Sequence, residues 1–403
     1  MKQNYFIGLI ACAALTMTGC SNDEINAPQQ SQGNNAIEFS TYLGRNAQGS
    51  RGTETKDTSI QTSGFGVLAY YTEKTDFANT NKPNFMWNQK VTYDKTNTNW
   101  EYTPVKYWPT KVGDKVSFFA YAPYVASGNA NGIVLSGNSV AGAPTATITL
   151  PDDPAKTIDF VAAVQMNKTH DNTKNANNNV SFTLLHEMTR VKVQAKLDKL
   201  VYDASDPKHK TFVVIKNVTF NDKGQFYKSG KYTFSITDGE RGTWTPTANA
   251  STYTLDLNGV LNKTKITANG ANGATTSGNY QAGVDGIKLT KKDKPEDLFK
   301  TNDYLYLIPV SANNGDGLTD GKATATIEYD IVTEDSNLVA GYSCTSATKT
   351  VLLPEGTLKQ GISYNYIFTI KLDEIVLNAT VNEWDTASDS NINVPYSPDD
   401  ATK

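Results

Sequence analysis

VSFTLLHEMTRVKVQAKL (Val180–Leu197) decides the fold class. Apolar and β-branched residues take turns with polar ones across it, which is the period of a strand with one buried face. Reading outward, the same alternation returns in both directions. N-terminal to it lie Ile37–Leu43, Gly64–Tyr71, Lys115–Tyr121, Ala146–Leu150 and Ile158–Val164. C-terminal to it lie Thr211–Phe220, Lys231–Ile236, Tyr304–Val310, Ala323–Val332, Lys349–Leu353 and Tyr364–Leu372. Turn clusters of Gly, Pro, Asn and Asp separate the runs, and helix-period segments are few and short. The pattern predicts an all-β protein of sandwich architecture.

At 403 residues the chain is long enough for two or three domains. The 10% aromatic content, with 21 Tyr, supplies a core although charged residues make up only 19%. The formal net charge of -4 argues against a nucleic-acid binder. Only Arg45, Arg51, Arg190 and Arg241 among the 37 basic residues are Arg. Bidentate clamps on phosphate or carboxylate are therefore not expected. A composition break at Asn167–Asn179 (NKTHDNTKNANNN) contains no large apolar residue and reads as a loop or an interdomain linker.

The first twenty residues read as a targeting signal. Lys2 is followed by an apolar run, Tyr5–Leu15, too short to span a bilayer. Met17-Thr18-Gly19-Cys20 then resembles a bacterial lipobox, in which the Cys becomes the acylated N-terminus. Residues 21–36 are polar and read as a tether. Ser21, Asp23 and Glu24 resemble sorting towards the outer membrane and the cell surface. With Cys12 in the signal and Cys20 acylated, Cys344 remains alone and no internal disulfide is expected.

Motifs for chemistry are weak. Gly64-Phe-Gly66-Val-Leu-Ala69 matches GxGxxA but sits inside a β-rich run, where a dinucleotide site needs a helix to follow. His170, His186 and His209 are scattered, so no metal is expected. Asn313–Gly321 reads as a tight turn rather than a calcium loop, since Ala312 and Ala323 would fill ligand positions. Asp152-Asp153 lies in the turn PDDP. Cys344 has no candidate base placed by sequence, and no GxSxG occurs. No enzyme activity and no cofactor are expected.

The ordered set AIEFSTYL, NAQGSRGTETKD, GFGVLAYY, FMWNQKVTYD, WEYTPVKYWP, DKVSFFAYAP, TIDFVAAV, FTLLHEMTRVKVQAKL, YLYLIPVS, ATIEY, GISYNYIFTIKL and VNEWD resembles the fimbrillin family, the subunits of type V pili. The resemblance implies two transthyretin-like β-sandwiches in tandem. It divides the chain into a lipoprotein signal peptide (1–19), a tether (20–36), a propeptide with the first strand (37–51), an N-terminal sandwich (52–166), a linker (167–179), a C-terminal sandwich (180–384) and a tail (385–403). It also implies strand donation. The subunit's first strand, Ile37–Leu43, fills its own groove until a protease cuts after Arg51 or Arg45. A donor strand from a neighbouring subunit then replaces it. Two C-terminal segments are candidate donors, as two successive short strands: Ile375, Leu377 and Val381, and Ile392, Val394 and Tyr396. The expected partners are other fimbrial subunits, the outer membrane through the Cys20 acyl chains, and a host or bacterial surface receptor. Rival readings are a tip or anchoring subunit, and a surface glycan binder stacking sugars on Trp87, Trp100, Trp108 or Trp244.

Overall fold

The computed structural model describes residues 35–43, 55, 57–126, 132–170, 178–199, 202–222, 226–247, 254–268, 280, 283–291, 294–300, 304–310, 317, 321, 323–371, 375–383 and 392–394. In chain order β1 is Glu38–Leu43, followed by the helix α1, Asp57–Ser63. Next come β2 Phe65–Tyr71, β3 Met86–Asp94, β4 Asn99–Glu101, β5 Lys115–Ala122 and β6 Ile133–Leu135. They are followed by β7 Thr145–Thr149, β8 Val161–Thr169, β9 Asn179–His186, β10 Thr189–Leu197 and β11 Thr211–Asp222. The middle of the chain adds β12 Ser229–Thr233, β13 Thr243–Pro246, β14 Thr254–Asp256, β15 Thr264–Ile266 and β16 Val284–Leu289. The last are β17 Glu296–Asp297, β18 Leu305–Leu307, β19 Ala323–Glu334, β20 Tyr342–Leu352, β21 Ile362–Ile370, β22 Ile375–Glu383 and β23 Ile392–Val394. The expected all-β class is what the structure shows.

The strands form four sheets. A seven-stranded sheet runs β1-β9-β8-β5-β2-β3-β4. Its central strands β2 and β5 are buried on both faces, so they read as nearly continuous apolar runs rather than alternating ones. One face carries Phe65, Val67, Phe118, Ala120 and Phe182, closed by α1 through Ile60 and by Trp108. The other carries Leu68, Tyr70, Phe119 and Tyr121 and belongs to the large core of the molecule. A four-stranded sheet, β13-β12-β7-β6, lies on that second face. There the Phe119 and Phe234 rings meet at 5.9 Å and Phe160 and Tyr232 at 5.3 Å. Two six-stranded sheets complete the molecule. One runs β17-β10-β21-β22-β23 with β18 beside β10, the other β15-β16-β11-β19-β20 with β14 beside β11. Their side chains share the large core, with Phe220 edge-on to Tyr366 at 6.0 Å.

Two expectations need correction. Val180–Leu197 is not one strand but two, in different sheets, with Glu187 and Met188 between them. The buried positions change parity at that point: Val180, Phe182 and Leu184 in β9, but Val191, Val193, Ala195 and Leu197 in β10. A straight strand keeps one parity, so the shift marks the passage between sheets. Strand pairing also does not follow the cut at 167–179. β8 and β9 flank that stretch and pair antiparallel in the same sheet, at Val161↔His186 and Ala162↔Leu185. In addition β7 from the first half pairs with β12 from the second, Thr145↔Thr233 to Thr149↔Ser229.

Candidate functional site

β1 pairs parallel with β9, from Glu38↔Asn179 to Leu43↔Leu184, and it ends the sheet. Parallel neighbours need a long connection, and here almost the whole first half of the described chain intervenes. Ile37, Phe39 and Leu43 point into the closed face and are 1%, 4% and 7% exposed. The Phe39 ring is surrounded by aromatic rings: Tyr102 at 5.1 Å, Phe182 at 5.9 Å, Phe118 at 6.0 Å and Phe65 at 6.4 Å. Burial of three such side chains contributes roughly 1.5–3 kcal/mol each.

Hydrogen bonds hold both ends of the strand. The Ile37 N–H donates to the Lys106 carbonyl at 2.9 Å, and the Tyr102 hydroxyl donates to the Ile37 carbonyl at 2.9 Å. The Trp108 N–H donates to Asn35 at 2.9 Å. At the far end the Leu43 N–H donates to Asp57 Oδ1 at 3.1 Å. Burial raises the Asp57 carboxyl above its ordinary range while the Leu43 N–H opposes that shift. Burial pushes the Tyr102 hydroxyl up to about 12, so it stays a donor throughout the neutral range.

The chain is held again at Thr55. Its N–H donates to Asp159 Oδ2 at 2.9 Å and its hydroxyl to the Asp159 carbonyl at 2.6 Å. Asp159 in turn lies 2.8 Å from Nδ1 of His186, both buried. Arg45 and Arg51 fall between these two anchors, in residues 44–54, and lie outside the described residues. Cys20 and Tyr396 lie outside them too.

The C-terminal candidates separate into two groups. Ile375, Leu377 and Val381 belong to β22, which pairs with β21 along nine residues, Ile362↔Glu383 to Ile370↔Ile375. Ile375 and Leu377 are buried in the chain's own core, and Val381 packs against it. Ile392 and Val394 are in β23, three residues added antiparallel to the outer edge of β22, with Val381↔Ile392 and Ala379↔Val394.

The remaining sequence candidates have structural roles. Gly64 ends α1 at φ +75°, and a Cβ there would sit 2.5 Å from the Val91 carbonyl oxygen. At Gly66 a Cβ would overlap the Tyr121 ring at 2.2 Å. Asp153 caps the short helical turn Pro154–Lys156 by accepting from the Ala155 N–H at 3.0 Å. His170 stacks on Trp108 at 5.3 Å, and His209 bonds Asp206 at 2.7 Å in an exposed loop. The 313–321 turn lies outside the described residues except for Gly317 and Gly321. Trp108 and Trp244 are buried, while Trp87 and Trp100 lean half-buried on the cores. Burial of Trp108 and Trp244 leaves neither of those indoles free to stack on a sugar. Among the described residues no helix is long and apolar enough to cross a membrane, and no cluster of His, Cys, Asp and Glu has metal-ligating geometry.

One polar centre escaped the sequence reading. Glu187, at the crossing between sheets, is fully buried beside Arg241. Gln360 Nε2 donates to its carboxylate and also to the Gly242 carbonyl at 3.0 Å. The Trp244 indole N–H donates to the Glu187 carbonyl at 2.7 Å. Burial pushes the Glu187 carboxyl up to about 8, against the opposing pull of Arg241 and Gln360. An acid between two apolar runs was the signal available.

A family model described as fimbrillin-like matches residues 53–384. The fimbrium subunit Fim1C of Phocaeicola vulgatus is 31% identical across 408 residues, which covers 96% of this chain and 98% of that protein. The crystal structure of a fimbrial protein from Bacteroides vulgatus superimposes with a TM-score of 0.69 at 26% identity, covering 87% of this chain and 99% of that one.

Proposed function

The chain belongs to the fimbrillin-like family, and from that premise we propose that it is a structural subunit of a fimbrium that polymerises by exchange of its first strand. The observation that carries this reading is the seat of β1. It is an edge strand whose apolar side chains plug an aromatic groove, and residues 44–54 are its covalent connection to the strands that follow. Cutting that connection leaves a strand held by non-covalent contacts alone. Those contacts are strong enough that β1 stays until another strand offers equivalent burial. Proteolysis therefore licenses exchange without leaving the groove open to water.

Of the two basic sites, Arg51 fits the geometry better. The residues preceding Arg45 include Tyr42 and Leu43, which are in β1, and Leu43 is buried and tied to Asp57. A protease gripping that side would have to unzip the strand first. The residues preceding Arg51 lie beyond the Leu43 anchor. On the donor side, β22 is part of the chain's own core, so the proposal assigns donation to the tail with Ile392, Val394 and Tyr396. The organisation as two sandwich bodies, the acylation of Cys20, the surface location on the outer membrane and an adhesive role belong to the same proposal.

The test is the double variant Arg45→Ala/Arg51→Ala. It is expected to remain untrimmed and monomeric, with N-terminal sequencing of sheared surface protein reporting the cut. Normal trimming and normal fibres in this variant would refute the processing step.

A further inference from the structure

Among the described residues eight strands end the four sheet paths, with β14 and β18 set beside β11 and β10. Seven of them are short. β1 has six residues, β13 four, β4, β6, β15 and β23 three each, and β17 two. Short edges are a standard defence against unwanted pairing. The eighth, β20, has eleven residues and no such defence. It pairs with β19 in unbroken register from Thr324↔Leu352 to Glu334↔Tyr342, with no bulge and no proline. Ser343–Ser346 and Thr348–Thr350 are exposed, and Lys349 is the strand's single charge. The result is an unbroken edge with a single charge, about 37 Å long at roughly 3.4 Å per residue.

We propose that the outer edge of β20 pairs antiparallel with β20 of a second copy of this chain, about a two-fold axis at Ala347. Directly opposite residues in an antiparallel pair share one parity, so a symmetric pair must centre on a residue that faces its twin. Ala347 is the midpoint and uses the full length of the strand. In that register Lys349 falls opposite Thr345, so the two cations do not face each other. Ser346 meets Thr348 and Ser343 meets Val351. Hydroxyl residues facing one another across a ladder are a favourable pairing. A self-complementary strand of Ser and Thr with one displaced Lys fits its own copy better than a partner strand of either charge. This contact uses a different edge from β1, so it stands whether or not the donation reading does.

The register places Cys344 opposite Thr350, which gives a direct test. The full chain carrying Cys12→Ser and Cys20→Ser keeps Cys344 as its one thiol. Adding Thr350→Cys is expected to yield a disulfide-linked dimer under mild oxidation, seen on a non-reducing gel. The dimer should be lost when Cys344→Ser is added. Thr348→Cys, which faces Ser346 instead, should give little linkage. Equal linkage by the two cysteines, or none by either, overturns the proposal. The variant Thr348→Lys places two ammonium groups beside the axis, on an exposed position opposite Glu328 of β19, and is expected to sediment as a monomer with unchanged thermal unfolding. A dimer that survives these lysines also overturns it.

Discussion

Replacing Phe39 by Ala tests whether β1 is a separable plug. The ring is 4% exposed and touches four other aromatic rings, so its removal leaves a cavity between Tyr102, Phe118 and Phe182. Phe→Ala changes in cores cost about 3–5 kcal/mol. Because β1 is an edge strand, the loss should fall on its docking and not on the body of the fold. At 1.4 kcal/mol per factor of ten, a loss of about 3–4 kcal/mol raises the undocked population roughly 10²–10³-fold. Native-state amide hydrogen exchange reads that population peptide by peptide. Peptides covering residues 35–43 and 179–184 should exchange faster by that factor. Peptides from β10 and β21 should keep their wild-type rates. Unchanged exchange at β1, or a uniform acceleration of every peptide, would show that β1 has no opening of its own and would refute the plug.

Three other outcomes are expected. Glu187→Gln should flatten the pH dependence of stability: with a folded carboxyl at about 8 and an ordinary value of 4.5, the wild type is most stable below 4.5 and loses a few kcal/mol as pH rises to 8. Thermal unfolding from pH 4 to pH 8 checks this, and parallel profiles for variant and wild type would contradict it. Cys20→Ala should abolish acyl-chain labelling and release the protein from the outer-membrane fraction. Deleting 385–403 should leave the melting temperature within a few degrees, since β22 ends before the deletion, yet stop fibre growth from processed protein.

The sequence made some elements legible and hid others for identifiable reasons. β1 was readable because Ile37, Phe39 and Leu43 alternate with polar residues and only one face is buried. The break after β9 was hidden because two well-patterned strands adjoin with only Glu187 and Met188 between them. A count of parity, even through Leu184 and odd from Val191, was the available clue. Most of β20 was invisible, since a strand exposed on both faces has no alternation to show, and only Lys349–Leu353 stood out. The pairing of β7 with β12 joins Thr149 to Ser229. No local pattern encodes a partner so far along the chain. The Thr55–Asp159 anchor was beyond reach for the same reason.

The parallel pairing of Glu38 with Asn179 has a consequence for timing. A chain that crosses a membrane N-terminus first delivers its first strand about 140 residues before the strand it must lie against. Until β9 has emerged, the alternating face of Ile37, Phe39 and Leu43 has nothing to cover it. Contacts of such long range form late, because chain closure must precede them. The first segment to arrive thus waits for β9 before it can be seated, and a segment seated at an edge after its neighbours is one whose removal disturbs little of what folded before it.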